Sequence, residues 1–284
     1  MTRDIEVSVV VPTCNRPGEL ERCVNAIVGA HTSAVYELLV VNDGHTEIPP
    51  SVAGLSSVRV LVGARRGPAA ARNVGIAAAH APLVLFTDDD TIPQPGWIDA
   101  IHAAFTNSQA VGVAGQVDCP PHDSLFARAV SSRGAIGYLT CNIAYRTADL
   151  RAIGGFDESF PFAHGEDRDL HARMVTNGTV AIEPTALVIH PAHPFTIGQG
   201  VARARLLQSD WLLYTKHPQL LPGRRSVRWT PIAGMALAWK QRFARDPKLR
   251  RSPRRLARFV SLASGQLALA LWITLRHRPP VAPR

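Results

Sequence analysis

The stretch Pro82-Leu-Val-Leu-Phe-Thr-Asp-Asp-Asp90 sets an apolar run directly against three consecutive carboxylates. A short apolar run bounded by turn-forming residues reads as a buried strand. On an extended chain, residues two apart share a face, so Asp88 and Asp90 are expected to converge while Asp89 points away. At about 6 to 7 Å and an effective dielectric near 20, two such carboxylates repel by roughly 2 to 3 kcal/mol. A hard divalent cation turns that repulsion into binding, which makes this strand end a candidate metal site.

The same design recurs upstream. Val7-Ser-Val-Val-Val-Pro12 reads as a buried strand, and Pro17-Gly18-Glu19 opens a helix whose Leu20, Cys23, Val24 and Ile27 fall at i, i+3, i+4 and i+7. Strands Leu38 to Val41 and Val58 to Val62 follow, then an Ala-rich helix from Pro68 to His80. After strand 82–87 comes a helix begun by Pro95 and carrying Trp97, Ile98, Ile101 and Phe105. This β-α-β-β-α-β-α alternation predicts an α/β fold, a mostly parallel mixed sheet flanked by helices. Such sheets bind ligands at the carboxyl ends of their strands. Thr13-Cys14-Asn15-Arg16, Asn42-Asp43-Gly44 and Asp88-Asp89-Asp90 end three of the strands, so all three clusters are expected along one edge. Asn, Asp and Gly also end strands because they make turns, but three converging ends outweigh that plain reading. Downstream, strand candidates Ala110 to Val117, Cys141 to Tyr145 and Val180 to Ile182 are joined by helices near 124–131, 147–153 and 167–176, and 196–216 reads as helical.

With 284 residues, 46% hydrophobic and 19% charged, the chain has enough apolar content for a large core and is not a disordered protein. Its four cysteines show neither a C-x-x-C pair nor zinc spacing, which fits a reducing cytoplasm. Asp4, Glu6 and the brief run Val7 to Val11, ended by Pro12, do not make a signal peptide, so the N-terminus is expected in the cytosol. The net charge of +9 is unevenly shared. Residues 222–284 hold 15 Lys or Arg against the single acid Asp246, a net of +14, while 1–221 hold 16 bases and 21 acids, a net of −5. A strongly basic tail suits phosphates, of nucleic acid or of anionic lipid.

Six segments in order carry a resemblance: Val7 to Arg16, Val41-Asn-Asp-Gly44, Gly67-Pro-Ala-Ala-Ala-Arg-Asn-Val-Gly75, Thr87-Asp-Asp-Asp90, Gly154-Gly-Phe-Asp-Glu158 and Gly165-Glu-Asp167. Over residues 5 to 195 the chain resembles the family 2 nucleotide-sugar glycosyltransferases of the GT-A fold. The resemblance implies a catalytic domain at 1–195, with a nucleotide-sugar half at 1–117 and an acceptor half at 118–195, followed by a helical, basic extension at 196–284. It implies that Pro12, Thr13, Asn15 and Arg16 surround the base and that Asp43 accepts a hydrogen bond from its imide edge, with a UDP-sugar favoured as donor. A carboxylate accepts and a uracil imide donates, so the chemistry agrees. Arg72 and Asn73 are directed at base, ribose or triad, and Arg72 merely pairing with the aspartates is the plainer alternative. Asp88 and Asp89 are assigned to the donor, and Asp90 with Asp88 to Mn²⁺ or Mg²⁺, a Lewis acid for the departing diphosphate. His190, rather than His193, is expected to complete the metal site, and Asn142 to contact the donor sugar. Trp97 is expected in the core rather than as a sugar platform.

A hydroxyl nucleophile needs a general base. Asp167, at the start of a helix whose dipole keeps a carboxylate ionised, is expected to be that base, with Glu166 in support. No Ser or Cys nucleophile arrangement is visible, so a single displacement with inversion is expected. The family's processive synthases carry Q-x-x-R-W. Here Arg225-Ser-Val-Arg-Trp229 replaces the glutamine, and polymer synthesis is not expected.

Phe259 to Leu275 is free of charge and flanked by Arg254, Arg255, Arg258, Arg276 and Arg278. Seventeen residues is the bare minimum to cross a bilayer. Three placements stay open: lying in or docked to the inner membrane surface, which is favoured, packing on the catalytic domain, or spanning. The bases favour anionic lipid or a lipid-linked or cell-envelope glycan acceptor over nucleic acid, since no nucleic-acid reader module is recognisable. Two other functions compete with glycosyl transfer: a sugar-nucleotide nucleotidyltransferase, for which Gly63-Ala-Arg-Arg-Gly67 is a poor triphosphate loop, and a non-catalytic, membrane-attached nucleotide-sugar binding protein, which has no use for Asp167.

Overall fold

The computed structural model describes residues 4–121, 127–132, 138–221, 226–246, 249, 251–277 and 279–280. In chain order the elements are β1 (Val7–Thr13), α1 (Pro17–Gly29), β2 (Tyr36–Asn42), α2 (Pro50–Ala53), β3 (Val58–Val62), α3 (Pro68–Ala78), β4 (Leu83–Phe86), β5 (Ile92–Pro93), α4 (Trp97–Thr106), β6 (Gly112–Asp118), β7 (Ala127–Arg128), β8 (Ile143–Arg146), α5 (Thr147–Ala152), α6 (Glu166–Met174), β9 (Val180–Ile189), β10 (His193–Pro194), α7 (Ile197–Ala202), α8 (Leu207–Lys216), α9 (Thr230–Arg245) and α10 (Pro253–Arg276). The chain divides into two compact units. One comprises Met1–Pro121, Ala129–Ser159 and Glu166–Ala192; the other comprises His122–Arg128, Phe160–Gly165 and His193–Arg284.

The first unit is built on an eight-stranded sheet of order β3-β2-β1-β4-β8-β6-β9-β5. β1 pairs in parallel with β2 and β4, and β2 with β3. β8 runs antiparallel between β4 and β6, β9 returns parallel to β6, and β5 pairs antiparallel with β9. Successive residues of a strand face opposite sides, and the cores follow that rule. Val9, Val11, Leu38, Val40 and Leu85 pack with Leu20 and Ile27 of α1 and Trp97 and Ile101 of α4. Their neighbours Val10, Leu39, Val41, Val84 and Phe86 pack on the other side with Ala71 and Ile76 of α3, Leu150 of α5 and Leu170 of α6. Both faces are covered, which is why these strands read as continuous apolar runs. Trp97 sits in this core, as expected.

β9 is longer than the three-residue strand expected at 180–182. It runs ten residues and shifts register against β6 between Gly115 and Gln116, where the pairing jumps from Gly115↔Glu183 to Gln116↔Leu187. Pro184 lies in that jump and has no N–H for the ladder. Asn142 fills the break: its Nδ2 donates to Gln116 O at 2.8 Å and Ala186 O at 2.7 Å, and its Oδ1 accepts from Trp97 Nε1 at 2.8 Å. A side chain on Gly115 would meet Asn142 Nδ2 at 2.4 Å, so the bulge needs glycine there.

In the second unit β7 pairs antiparallel with β10, Pro194 opposite Ala127 and His193 opposite Arg128. The helix expected near 124–131 is therefore a strand at 127–128, and residues 124–126 lie outside the described residues. α7 starts with a capping box in which Thr196 and Gln199 satisfy each other's backbone. Two apolar clusters hold the helices together, one around Leu249, Phe259 and Leu262, the other around Leu207, Trp211, Ala270 and Ile273. Cys23 and Cys141 are buried and Cys14 is exposed.

Candidate active site

The three aspartates do not continue the strand. β4 ends at Phe86, and the Thr91 hydroxyl donates to Asp88 O at 2.7 Å, closing a turn across 88–91. This overturns the expectation that Asp88 and Asp90 share an extended face. The turn instead sends Asp88 to one guanidinium, that of Arg72, and Asp89 and Asp90 to another, that of Arg16. Asp88 Oδ1 meets Arg72 at 2.8 Å. Asp89 is fully buried, accepts from the Thr13 hydroxyl at 2.7 Å and pairs with Arg16 at 2.6 Å. Asp90 Oδ2 pairs with the same guanidinium at 2.6 Å. Parallel pairing of β1 with β4, in the register Val10↔Phe86, carries Thr13 alongside Asp89. Burial raises the Asp89 carboxyl to about 7 even though Arg16 and Thr13 pull it down.

Strand register also fixes the second half of the site. Ile92 of β5 stands opposite Ile189 of β9, so the residues just beyond, Asp90 and His190, are brought together. His190 Nε2 lies 3.5 Å from Asp90 Oδ1, and both side chains are buried. His190 Nδ1 lies 3.1 Å from the Pro191 carbonyl oxygen, which accepts and cannot donate. Nδ1 therefore donates to that oxygen, and Nε2 is the ring nitrogen that faces the carboxylate. An imidazole nitrogen and a carboxylate oxygen this close together are a donor pair that could hold a divalent metal ion. His193 belongs to β10 of the second unit.

Arg72 joins the triad to the start of α6. Its guanidinium reaches Glu166 Oε1 at 3.2 Å as well as Asp88, and lies over the Phe156 ring at 5.5 Å. Glu166 is buried, and burial pushes its carboxyl up, Arg72 opposing and the neighbouring Asp167 adding to the rise. Asp167 is half-buried in the first turn of the helix, its Oδ1 accepting from Arg168 N at 2.8 Å. Glu166, Asp167 and Asp169 all sit where the helix dipole favours negative charge.

The first two strand ends form a polar cradle. Asp43 accepts from the backbone N–H of Arg65 at 2.6 Å and of Gly67 at 2.8 Å, fixing the loop that leads into α3. Asn15, at a φ of 57°, accepts from His45 N, Thr46 N and the Thr46 hydroxyl. Pro12 is buried in β1 opposite Val41. Thus one sheet edge gathers Thr13, Asn15, Arg16, Asp43, the triad, Arg72 and, across it, Glu166, Asp167 and His190.

A family model for glycosyl transferase family 2 matches residues 8–161, more than half of the chain. The chain belongs to glycosyltransferase family 2. Pre-mycofactocin glycosyltransferase of Mycobacterium tuberculosis is 30% identical over 220 residues, covering 70% of this chain and 45% of that protein. Validoxylamine A glucosyltransferase of Streptomyces hygroscopicus is 26% identical over 265 residues, 76% of this chain and 62% of that one. Succinoglycan biosynthesis protein ExoU of Rhizobium meliloti is 30% identical over 205 residues, 61% of this chain and 58% of its own length. The chain thus spans about half to three fifths of the curated relatives it matches. A crystal structure of S. aureus TarS, residues 1–349, superposes with a TM-score of 0.55 at 16% identity over 97% of this chain and 93% of that one. The shared architecture is the GT-A fold.

Within this glycosyltransferase fold, two expected donor contacts have scaffold partners. Asn73 Nδ2 donates to Phe156 O and Glu158 Oε1, both at 2.9 Å, and its Oδ1 accepts from Phe156 N, so it fastens the Gly154-to-Glu158 turn. Asn142 has both amide hydrogens engaged at the β9 bulge, as described above. Sequence reading did not foresee Phe156 beneath Arg72, Thr91 closing the triad turn, or Arg173, which pairs with Asp169 at 2.7 Å and donates to Gly155 O at 2.8 Å. A glycine pair before an aromatic residue, Gly154-Gly155-Phe156, was the available signal for the first. Arg225 of the Q-x-x-R-W counterpart lies outside the described residues, and Arg228 donates to Thr274 O near the end of α10.

Proposed function

We propose that this family 2 chain is a metal-dependent, inverting, non-processive glycosyltransferase that moves a sugar from a nucleoside-diphosphate donor to an acceptor hydroxyl. The observation that carries the reading is the juxtaposition of His190 Nε2 with Asp90 Oδ1 at 3.5 Å, on the same edge as Arg72, which ties the triad to the Glu166-Asp167 helix start. Asp90 and His190 would hold Mn²⁺ or Mg²⁺. When bound, the ion supplies Lewis-acid stabilisation of the charge that builds on the departing diphosphate.

The remaining steps belong to the chain's own residues. Asp43 has lone pairs left on both oxygens after its two backbone bonds, enough to accept a base imide N–H, which favours a uridine donor. Pro12, Thr13, Asn15 and Arg16 line the base and ribose side, and Asp88 and Asp89 the ribose and diphosphate side. Asp167 takes the proton from the acceptor hydroxyl as that oxygen bonds the anomeric carbon and the bond to the diphosphate oxygen breaks. Glu166, held by Arg72, positions the helix start. Relatives named for pre-mycofactocin, validoxylamine A and succinoglycan support glycosyl transfer as the reaction class. The basic C-terminal segment favours a cytoplasmic protein held at the inner membrane surface, with a lipid-linked or cell-envelope glycan as acceptor.

The test is a panel of nucleoside-diphosphate sugars incubated with Mn²⁺ or with EDTA, following nucleoside diphosphate release. Metal-dependent release from one donor class supports the reading. Pyrophosphate release from a nucleoside triphosphate and a sugar phosphate would instead make the chain a nucleotidyltransferase, and binding without turnover would leave a non-catalytic nucleotide-sugar binding protein.

A further inference from the structure

α10 is the one helix among the described residues that is long and apolar enough to cross a bilayer, with a mean hydropathy of 1.5 over its most apolar window. Its two faces differ. The inward face carries Phe259, Leu262, Ala270 and Ile273 into the core of the second unit. It is also held by polar contacts: Trp239 Nε1 donates to Gln266 Oε1 at 3.0 Å, Gln266 Nε2 donates to Gly200 O, and Arg228 caps Thr274 O. α7 and α10 meet at two glycines. A Cβ on Gly200 would lie 2.5 Å from Leu262 Cδ1, and one on Gly265 2.7 Å from Val201 Cγ2. A helix held this closely along one face is a built part of its unit. Crossing a bilayer would strip those polar groups of their partners in hydrocarbon.

The outward face is left bare. Leu271 is 42% exposed, Trp272 48% and Leu275 69%, with Val260 of the same helix at 53%. Leu271 and Leu275 are four residues apart and therefore stacked on one side, with Trp272 beside them. Arg276 follows, and its guanidinium lies over the Trp272 ring at 4.8 Å. At the other end of the helix stand exposed Arg254 and Arg251 just before it. α9 of the same unit exposes Leu237 and Phe243 around Lys240. Of the large apolar side chains that the described residues expose, half lie on these two helices, at the basic end of the chain.

We infer that the outward face of the C-terminal half of α10, Leu271, Trp272 and Leu275 with Arg276, is a docking surface for an anionic lipid bilayer, on which the helix lies in the interfacial plane without crossing. An apolar stripe with a tryptophan rimmed by arginine is the composition of an interfacial helix: the side chains enter the headgroup boundary while the guanidinium stays with phosphate. Charge complementarity selects the occupant. The segment that carries this surface has a net charge of +14 over residues 222–284, which disfavours a second copy of the segment and attracts anionic lipid. The inference rests on the membrane-surface location proposed above and names the surface responsible for it.

The experiment is co-sedimentation of the full chain with phosphatidylcholine vesicles, with and without phosphatidylglycerol, at low and high salt. Wild type should bind the anionic vesicles at least roughly tenfold more than neutral ones, with a salt-sensitive affinity and a blue-shifted tryptophan emission. A Leu271→Glu/Leu275→Glu variant, both positions being outward, should keep its melting temperature and lose roughly tenfold or more of that binding. Trp272→Phe should keep most of the binding and lose the blue shift. Vesicle binding undiminished in the double variant would overturn the surface while leaving the membrane location standing. Absence of binding by wild type, with a dimer that the double variant dissolves, would overturn both. Retention in membranes after alkaline carbonate extraction would show a spanning helix and overturn the interfacial placement.

Discussion

One guanidinium nitrogen of Arg72 lies 2.8 Å from Asp88 Oδ1 and another lies 3.2 Å from Glu166 Oε1, so a single cation joins two acidic motifs that are far apart in sequence. Burial lowers the guanidinium's affinity for its proton, but Asp88 and Glu166 more than restore it, so Arg72 stays charged. Planar, forked geometry is what lets one side chain serve both carboxylates.

Arg72→Met should therefore leave Glu166 buried without a counter-charge and Asp88 with less neutralisation. Breaking a buried pair in this way costs about 3 kcal/mol or more. Urea denaturation should show that loss, and adding Glu166→Gln should restore part of it, because the double variant no longer buries an unpaired charge. A double variant as unstable as the sum of the two singles would mean that the pair is not coupled.

Asp167→Asn removes the proposed base while leaving the donor cradle in place. Turnover should fall by about 10² to 10⁴-fold, with nucleoside diphosphate binding unchanged in calorimetry. Loss of donor affinity in step with turnover would move Asp167 from proton transfer to donor binding.

Asp89 gives the metal-free protein a pH signature. Burial lifts its carboxyl from an ordinary 3.8 to about 7, so the folded state keeps a proton that the unfolded chain releases near pH 4. The stability this contributes is fully present below that range and is lost as the pH rises through about 7. At about 1.4 kcal/mol per unit the ceiling is roughly 4 kcal/mol. Melting curves in EDTA between about pH 4.5 and 7.5 should slope downward, and Asp89→Asn should flatten them; an unchanged slope would assign it to another group.

Two glycines should respond in opposite directions to alanine. A Cβ on Gly75 would lie 2.4 Å from Val10 Cγ1, where α3 packs on β1, so Gly75→Ala should cost about 1 to 3 kcal/mol through overpacking. At Gly29, in the exposed last turn of α1, nothing lies within 4 Å, and alanine should stabilise by roughly 0.5 to 1 kcal/mol. Thermal melts of the two variants check both signs.

The sheet was legible because buried parallel strands must be apolar throughout and must end where polar residues gather. Val7 to Val11, Leu38 to Val41 and Leu83 to Phe86 said so plainly, and the clusters at Thr13, Asn42 and Asp88 marked the edge. The triad's own shape was not legible. Whether three aspartates stay extended or turn depends on Thr91 reaching back to Asp88 O, a contact that no periodicity encodes. Asn73 and Asn142 show the same limit, since an amide suited to a sugar hydroxyl is equally suited to a broken β ladder or a glycine-rich turn. The Arg72–Glu166 pair is invisible to local pattern because its partners meet through the fold. For α10, an uncharged run near the spanning minimum did not reveal that one face is locked by Gly265, Gln266 and Thr274.

The central claim is that Asp90 and His190 capture a divalent cation that grips the donor's diphosphate. Isothermal titration of a uridine diphosphate into the full chain, with Mn²⁺ and then with EDTA, tests it most directly, with Asp90→Asn and His190→Ala alongside. Affinity should fall by about 10 to 100-fold or more when the metal is withdrawn, and each variant should reproduce most of that loss in the presence of Mn²⁺. Equal affinity with and without metal, in wild type and variants alike, would contradict the account.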